Sequence, residues 1–367
     1  MTFRVLQIIS PTGFYGAERW VMALANNLDS RVRCDLAVLG EDDRSFGLFD
    51  TYPRAGSVTE FKLASSFDLS IVSKLVDFAR DHDIALLHSH GYKSDIITAL
   101  VALRSRIPIV STPHGFGEVT DKKLRLYHWL GKVFLRSFDR VVPLSPKLLE
   151  DLQPYVAANK LSLISNGVDL KDIDASVAAA PKRVDQRPTL GFVGRLDQGK
   201  QVDQIIRVFA QLKHNFPDAR LCLIGEGPLR GRLEHLATDL GCNDAIEFLG
   251  FRSDRIELML DFDVFVLASE SEGIPRSLME AHATRTAVVA YDIPGVDLVV
   301  DHGESGLLAP LNDVDALRAH CERLLGDACL RQSLAGAGRA KVEREYSAAA
   351  MAQQYTELYA GILESKR

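Results

Sequence analysis

No stretch of this 367-residue chain is apolar for long enough to cross a bilayer. The apolar run at 5–9 is too short for a secretory signal, so a cytoplasmic home is the expectation. Cysteine is scarce: there are five, an odd number, and no two have C-x-x-C spacing. That argues against a disulfide framework and a cysteine-based metal site, and for buried, reduced thiols. A basic excess is also missing. Lys and Arg number 43 against 49 Asp and Glu, for a net charge of −6. Residues 1–170 carry 20 basic and 19 acidic side chains, so the acidic excess sits in the remainder. Neither half has the footprint of a nucleic-acid binder. No G-x-G-x-x-G follows the first apolar run, which fits an NAD dehydrogenase poorly. No internal repeat is evident.

What is present is an alternation. Short β-rich apolar runs occur at 5–9, 36–39, 84–88, 109–112, 141–144 and 161–164, then at 190–193, 221–224, 246–249, 264–267 and 288–290. Amphipathic stretches separate them. Near-continuous apolar strands divided by helices imply parallel sheets covered on both faces. The stretch 171–188, KDIDASVAAAPKRVDQRP, is short on large apolar residues and reads as a linker. The expected fold is α/β: two doubly wound Rossmann-like domains, 1–170 and 189–345, facing across a cleft, with a helix at 346–367. In such sheets ligands bind beyond the carboxyl ends of the strands, so the residues after each strand come next.

In SEGIPRSLME, residues 271–280, Glu272 and Glu280 flank a helix start at Pro275. Free N–H groups at a helix N-terminus suit a phosphate, Gly273 permits close backbone approach, and carboxylates accept hydrogen bonds from sugar hydroxyls. On this spacing alone, two solvated helix-start residues are an equal reading. In GFVGRLDQGK, residues 191–200, a Gly-rich turn between a strand and a helix at 202–214 carries Arg195 and Lys200. Arg195 can fork onto phosphate oxygens and Lys200 adds a point charge; ordinary turn glycines with exposed cations are the plainer alternative. A third strand end carries IGEGP at 224–228, weak on its own.

Together these stretches resemble the family 4 glycosyltransferases, retaining enzymes of the GT-B fold. G-R-L-x-x-x-K at 194–200, I-G-x-G-P at 224–228 and E-x7-E at 272–280 follow the family's order and approximate spacing. The likeness extends to Gly16-Ala17-Glu18-Arg19, His114-Gly115 and Asn166-Gly167-Val168-Asp169, and so covers nearly the whole chain. It implies that Arg195 and Lys200 hold the donor diphosphate and stabilise it as leaving group. It implies that Glu272 receives the hexose hydroxyls, Glu280 the ribose, and that His114 touches the hexose near the reacting carbon. His114, Arg195, Lys200 and Glu272 are thus the expected catalytic set. Gly16, Gly225, Gly227, Phe251, Gly273 and Ile274 complete the expected donor site, and Tyr15, Glu18, His90 and Lys93 the acceptor side. The final helix would cross back onto the N-terminal domain. No cofactor or metal is implied; the substrate is a nucleoside-diphosphate sugar, a UDP-sugar being the expectation. The partner is a glycan or lipid-linked acceptor in cell-surface polysaccharide assembly.

Two departures stand out. The family often has Gly-Gly before Ala-Glu, where this chain has Tyr15-Gly16 with Gly13 earlier, and Pro275 replaces the second glycine of E-G-x-G. Arg276 is an added cation with no assigned role, expected to face solvent.

Other constellations invite rival readings. His88-Ser89-His90 with His114 could suggest zinc, but no carboxylate with clear ligand spacing completes the set. The pairs Asp81/Asp83 and Asp261/Asp263 precede strands, Asp172/Asp174 lies in the linker stretch, and Asp313/Asp315 looks like a helix N-cap. At 121–140, Leu124, Tyr127, Leu130, Phe134 and Phe138 share one helical face, while Lys122, Arg125, Lys132, Arg136 and Arg140 gather opposite with Trp129 among them. Such a face suits an anionic membrane surface at the inner side of the plasma membrane, or is simply solvated. A nucleotide-sugar epimerase of the same fold and a non-catalytic sugar-nucleotide-binding protein remain as alternatives to a transferase.

Overall fold

A computed structural model describes residues 2–11, 16–40, 52, 56–64, 68–114, 129–181, 183 and 185–366. The chain divides into two compact units: residues 1–167 with 348–367, and residues 168–347.

The first unit holds a six-stranded sheet in the order β3-β2-β1-β4-β5-β6, built from β1 (Phe3–Ile9), β2 (Val32–Gly40), β3 (Val58–Lys62), β4 (Ile84–His90), β5 (Ile109–Ser111) and β6 (Arg140–Val141). Every pairing is parallel. The period-2 pleat sorts β1 between two cores. Leu6 and Ile8 join Leu39, Leu75, Leu87, Ile109 and Leu152 on one face. Val5 and Ile9 join Trp20, Leu24, Leu86, Val110 and the final helix on the other. That final helix, Ala348–Ser365, buries Met351, Ala352, Tyr355, Tyr359 and Ile362 against the sheet. Each large side chain so buried contributes roughly 1.5–3 kcal/mol.

The second unit repeats the scheme in the order β12-β11-β10-β7-β8-β9, from β7 (Thr189–Val193), β8 (Arg220–Ile224), β9 (Ile246–Gly250), β10 (Val264–Leu267), β11 (Ala287–Asp292) and β12 (Leu307–Pro310). One contiguous core fills it. The Val202–Leu212 helix shows how sequence makes such a layer: Val202, Ile205, Ile206, Phe209 and Leu212 recur every three or four residues and are all buried. Asp169, Asp313 and Asp327 cap three helices, their carboxylates accepting from the N–H groups of Asp172, Ala316 and Leu330. Such caps contribute about 1 kcal/mol each.

Both strand orders are the doubly wound one, so each sheet has a switch point where the winding reverses. It lies between β1 and β4 in the first unit and between β7 and β10 in the second.

Several expectations need correction. The stretch at 171–188 is not all linker: Leu170–Ala179 is a helix of the second unit, capped by Asp169 and anchored by buried Ile173. The run at 161–164 forms a single bridge, Val141 to Leu161, rather than a strand. The edge strands β3 and β12 are additions. The basic helix at 121–140 is described only from Trp129 on. There residues 129–134 are helical, Leu135–Ser137 is a 3-10 turn, and Arg140 lies in β6, so it cannot share a helical face with Lys132. Phe138 is fully buried in the first unit's core. Of the cysteines, Cys329 is exposed and the other four are buried, all five being free thiols.

Candidate active site

In the second unit the carboxyl ends of β7 and β10 diverge from the switch point. After β7 the chain turns through Gly194 and Arg195 into the Gln198–Lys200 turn and the Val202–Leu212 helix. After β10 it runs through Ser269 and Glu272 to Pro275, the N-cap of the Arg276–Ala283 helix. Three contacts join the two loops. Glu270 N donates to Gly199 O at 3.0 Å, Gln201 Nε2 donates to Glu270 Oε2 at 3.2 Å, and Lys200 Nζ meets Glu272 Oε1 at 2.5 Å. That last pair is partly buried, the lysine side chain being 26% and the glutamate 11% exposed. Arg195 differs: its side chain is 70% exposed and, among the described residues, reaches only Asp197, at 3.6 Å. The site therefore presents one nearly uncommitted guanidinium and one ammonium with two further N–H donors.

The backbone adds donors. The Gly273 and Ile274 N–H groups give to no carbonyl among the described residues, and they sit just ahead of a helix N-terminus. Glycine shapes the loops here. Gly225 has φ +140, and a Cβ on it would lie 1.8 Å from Gly194 O. A Cβ on Gly227 would lie 2.2 Å from Leu196 O. These two glycines let the loop after β8 pack against the Arg195 loop, through Gly194 N to Ile224 O and Leu196 N to Glu226 O. Phe251, after β9, is 52% exposed, an apolar side chain open to solvent.

Glu280 is not an open carboxylate. It is buried, and Arg255 grips both oxygens, Nη2 to Oε1 at 2.6 Å and Nε to Oε2 at 3.0 Å. Arg276 Nε adds a bond to Oε1 at 2.9 Å. Arg276 was expected to face solvent. Instead it lies 17% exposed along its helix, because a buried carboxylate one turn on needs a second cation beside it. Removing one member of such a cluster strands a buried charge and costs about 3–5 kcal/mol.

Sequence reasoning missed Gly295. It follows β11 with φ +94, and a Cβ there would lie 1.6 Å from Gly273 O and 3.0 Å from Glu272 O. The loop bearing Glu272 rests directly on this backbone; the Pro294-Gly295 pair after a strand was the available signal. Arg255 had no comparable mark.

In the first unit, the ends of β1, β4 and β5 bring Gln7, His88, His90 and His114 together. Gln7 and His88 are register partners, as are Ile9 and His90. Trp20 lies against the three imidazoles, its ring centroid 5.2 Å from His90 and 5.3 Å from His114. Burial holds His88 and His90 well below the usual histidine range and His114 down to about 4, so all three rings are neutral at pH 7. Ser89 and Ser111 both donate to buried Asp95 Oδ1, at 2.6 and 2.7 Å, tying β4 to β5. His90 is not available to an acceptor, since one ring nitrogen meets Gln7 and the other His114. Both nitrogens of His88 are likewise engaged, with Tyr359 and Thr112. Gly16 opens the first helix with nothing within 4 Å of a notional Cβ, Glu18 is buried, and Lys93 is partly exposed at a helix start. Tyr15 lies outside the described residues.

Comparison with known proteins bears on the family and the fold. The family described as Glycosyltransferase Family 4 matches residues 14–172. The family described as Glycosyl transferases group 1 matches residues 176–341. This chain is a GT-B glycosyltransferase of the family 4 type. Its relatives are distant. N-acetyl-alpha-D-glucosaminyl L-malate synthase of Bacillus anthracis is 24% identical over 82% of this chain and 81% of its own length. An Escherichia coli UDP-Gal:alpha-D-GlcNAc-diphosphoundecaprenol alpha-1,3-galactosyltransferase is 27% identical over 72% of each. The crystal structure of Anabaena HepE in complex with UDP superposes with a TM-score of 0.79 at 21% identity, covering 98% of this chain and 100% of that one. The two-domain α/β architecture of this glycosyltransferase is therefore the GT-B one.

In the transferase, Gly295→Ala should push the Gly273 carbonyl away and strain a left-handed residue. The expected cost is about 2–4 kcal/mol in denaturant unfolding, with weaker UDP binding. Unchanged stability and unchanged UDP affinity would show that the Glu272 loop does not rest on this backbone.

Proposed function

We propose that this glycosyltransferase moves a hexose from a UDP-sugar, with retention of configuration and without a metal, to a glycan or lipid-linked acceptor in cell-surface polysaccharide or glycoconjugate assembly. The observation that carries the reading is the Lys200–Glu272 pair at the second unit's switch point, beside an exposed Arg195. A diphosphate brought to this point meets two cations and a helix start. A hexose on its far side meets the Glu272 carboxylate once Lys200 turns to the phosphates. Each role follows charge: the cations favour the diphosphate most when it leaves, which is where stabilisation accelerates the reaction. The ribose would meet Glu280 as the acceptor arm of an arginine-held cluster, and Phe251 offers its ring to the base.

The relatives support the finer parts by analogy. The E. coli relative is named for a UDP-Gal donor and a diphosphoundecaprenol-linked acceptor, and both curated relatives are named for α-linkages. From an α-configured donor an α-product means retention. The solved neighbour holds UDP. Leaving-group stabilisation by Arg195 and Lys200 makes a metal unnecessary. The Asp-x-Asp carboxylates have other work: Asp263 takes Arg183 at 2.9 Å and Arg331 at 3.4 Å, Asp174 takes Arg339 at 2.7 Å, and Asp313 caps a helix.

Arg195→Ala and Lys200→Ala should each weaken UDP binding in calorimetry about ten- to a hundredfold, the worth of roughly 1.5–3 kcal/mol per charge-assisted contact, while the fold survives. Turnover should persist in excess EDTA. Unaltered UDP affinity in both variants would remove the assignment, and loss of turnover restored by Mn²⁺ would return a metal to the mechanism.

A lipid-linked acceptor would bring the surface bearing Trp129, which is 53% exposed, and Lys132 to a bilayer. No helix among the described residues is long and apolar enough to cross one. Sedimentation with anionic vesicles but not neutral ones is the expected result, fading at high salt; equal sedimentation with both would mark that surface as merely solvated.

A further inference from the structure

Gln7 is a polar residue in the middle of an apolar strand, fully buried. The pleat puts it on the same face as Val5 and Ile9, under the final helix. There its amide sits between two chains of hydrogen bonds. Gln7 Oε1 lies 2.5 Å from His90 Nε2, and His90 Nδ1 lies 3.2 Å from His114 Nε2. On the other side Gln7 Nε2 lies 3.4 Å from Tyr359 Oη. Tyr359 Oη lies 2.6 Å from His88 Nδ1, His88 Nε2 lies 2.8 Å from Thr112 Oγ1, and Thr112 Oγ1 lies 2.8 Å from Tyr355 Oη.

A neutral imidazole has one N–H and one lone pair, so fixing either nitrogen fixes the other. An amide oxygen only accepts. His90 Nε2 must then carry the proton, His90 Nδ1 must accept, and His114 Nε2 must donate to it. His114 Nδ1 is left with its lone pair and with no hydrogen-bond partner among the described residues. The second chain runs consistently from the same amide: Gln7 N–H donates to Tyr359, Tyr359 O–H to His88 Nδ1, and His88 Nε2–H to Thr112.

We propose that Gln7 is a positioning residue for the transfer reaction, which acts through His90 to fix the tautomer of His114 so that a bare Nδ1 accepts a hydrogen bond from a hydroxyl of the bound sugar. The last clause rests on the reading above that His114 touches the donor hexose; the relay itself does not. Three further features hold the relay in place. Burial keeps the rings neutral, so no second proton blurs the tautomer. Trp20 fixes the ring planes. Tyr359 and Tyr355 bring the final helix into the same network, which gives that helix a chemical role besides its apolar contacts. The assignment also predicts a specificity. A lone pair at His114 Nδ1 rewards a sugar hydroxyl and gains nothing from a deoxy position, because a built hydrogen-bond site discriminates against a missing partner.

The test is a long-range ¹H–¹⁵N correlation spectrum of the full-length, ligand-free enzyme labelled at histidine ring nitrogens, with His114 assigned by its loss in His114→Asn. The expected spectrum shows an unprotonated Nδ1 and a protonated Nε2 for His114 in one tautomer. A protonated Nδ1, as a reversed Gln7 amide would impose, or a signal averaged over both tautomers, overturns the relay. Gln7→Met keeps the length of the side chain and removes both polar atoms. It should average the His114 tautomer and lower kcat about three- to tenfold with a smaller change in donor KM. A folded Gln7→Met enzyme whose His114 keeps a single tautomer also overturns it. If that variant does not fold, the wild-type spectrum alone decides. Addition of UDP-glucose, UDP-galactose or UDP-N-acetylglucosamine should shift the Nδ1 resonance for the sugar that binds. A correct tautomer that responds to none of the bound nucleotide sugars leaves the relay standing and removes the hexose contact.

Discussion

The Lys200–Glu272 ion pair closes the gap that a doubly wound sheet must leave at its centre. Helices leave β7 and β10 in opposite directions, so the loops that follow them part, and polar groups at their tips face one another across the crevice. Without a ligand, two opposite charges brought this close satisfy each other at 2.5 Å. In the proposed reading a nucleotide sugar would supply other partners for both, phosphate oxygens for the lysine and hydroxyls for the glutamate. Both side chains keep some contact with water, the lysine more than the glutamate. The Arg255–Glu280–Arg276 cluster is the contrast: it is buried and multiply bonded.

The first unit solves a different problem at its own switch point. Its strand ends carry neutral polar groups in place of charges, and burial under Trp20 and the final helix forces every ring nitrogen of His88 and His90 into a hydrogen bond. Such a network is directional. One amide at Gln7 sets the sense of two chains, and the end of one of them is the imidazole expected at the sugar. The two units of one architecture thus differ in what their strand ends carry: charged side chains in the second, and neutral hydrogen-bonded rings in the first.

Much of this was legible in the chain because a parallel strand is a short apolar run and whatever follows it stands at the crevice. Arg195, Lys200 and Glu272 could be picked out for that reason, since each follows such a run within a few residues. Edge strands were harder. β3 is half polar with only Phe61 buried, and β12, although Leu307, Leu308 and Ala309 are buried, is four residues long and ends in Pro310. The helix at Leu170–Ala179 hid because one residue, Ile173, anchors it, and an alanine-rich stretch looks the same in a linker. The last part of the basic helix, from Leu135 on, failed for the opposite reason. Its apolar period continues through Phe138, but a 3-10 turn precedes that residue and β6 follows it, and Phe138 is buried there as well as it would be from a helix. Contacts between distant positions left no local trace at all: nothing near Glu280 announces Arg255, and nothing in β1 says that Gln7 will meet Tyr359.

The most direct test of the account is a crystal structure of the enzyme with UDP. The diphosphate should lie against the Arg195 guanidinium and the Lys200 ammonium, near the N–H groups of Gly273 and Ile274, with Lys200 drawn away from Glu272. A diphosphate bound elsewhere, or bound here with the Lys200–Glu272 pair intact and Arg195 turned to solvent, would contradict it.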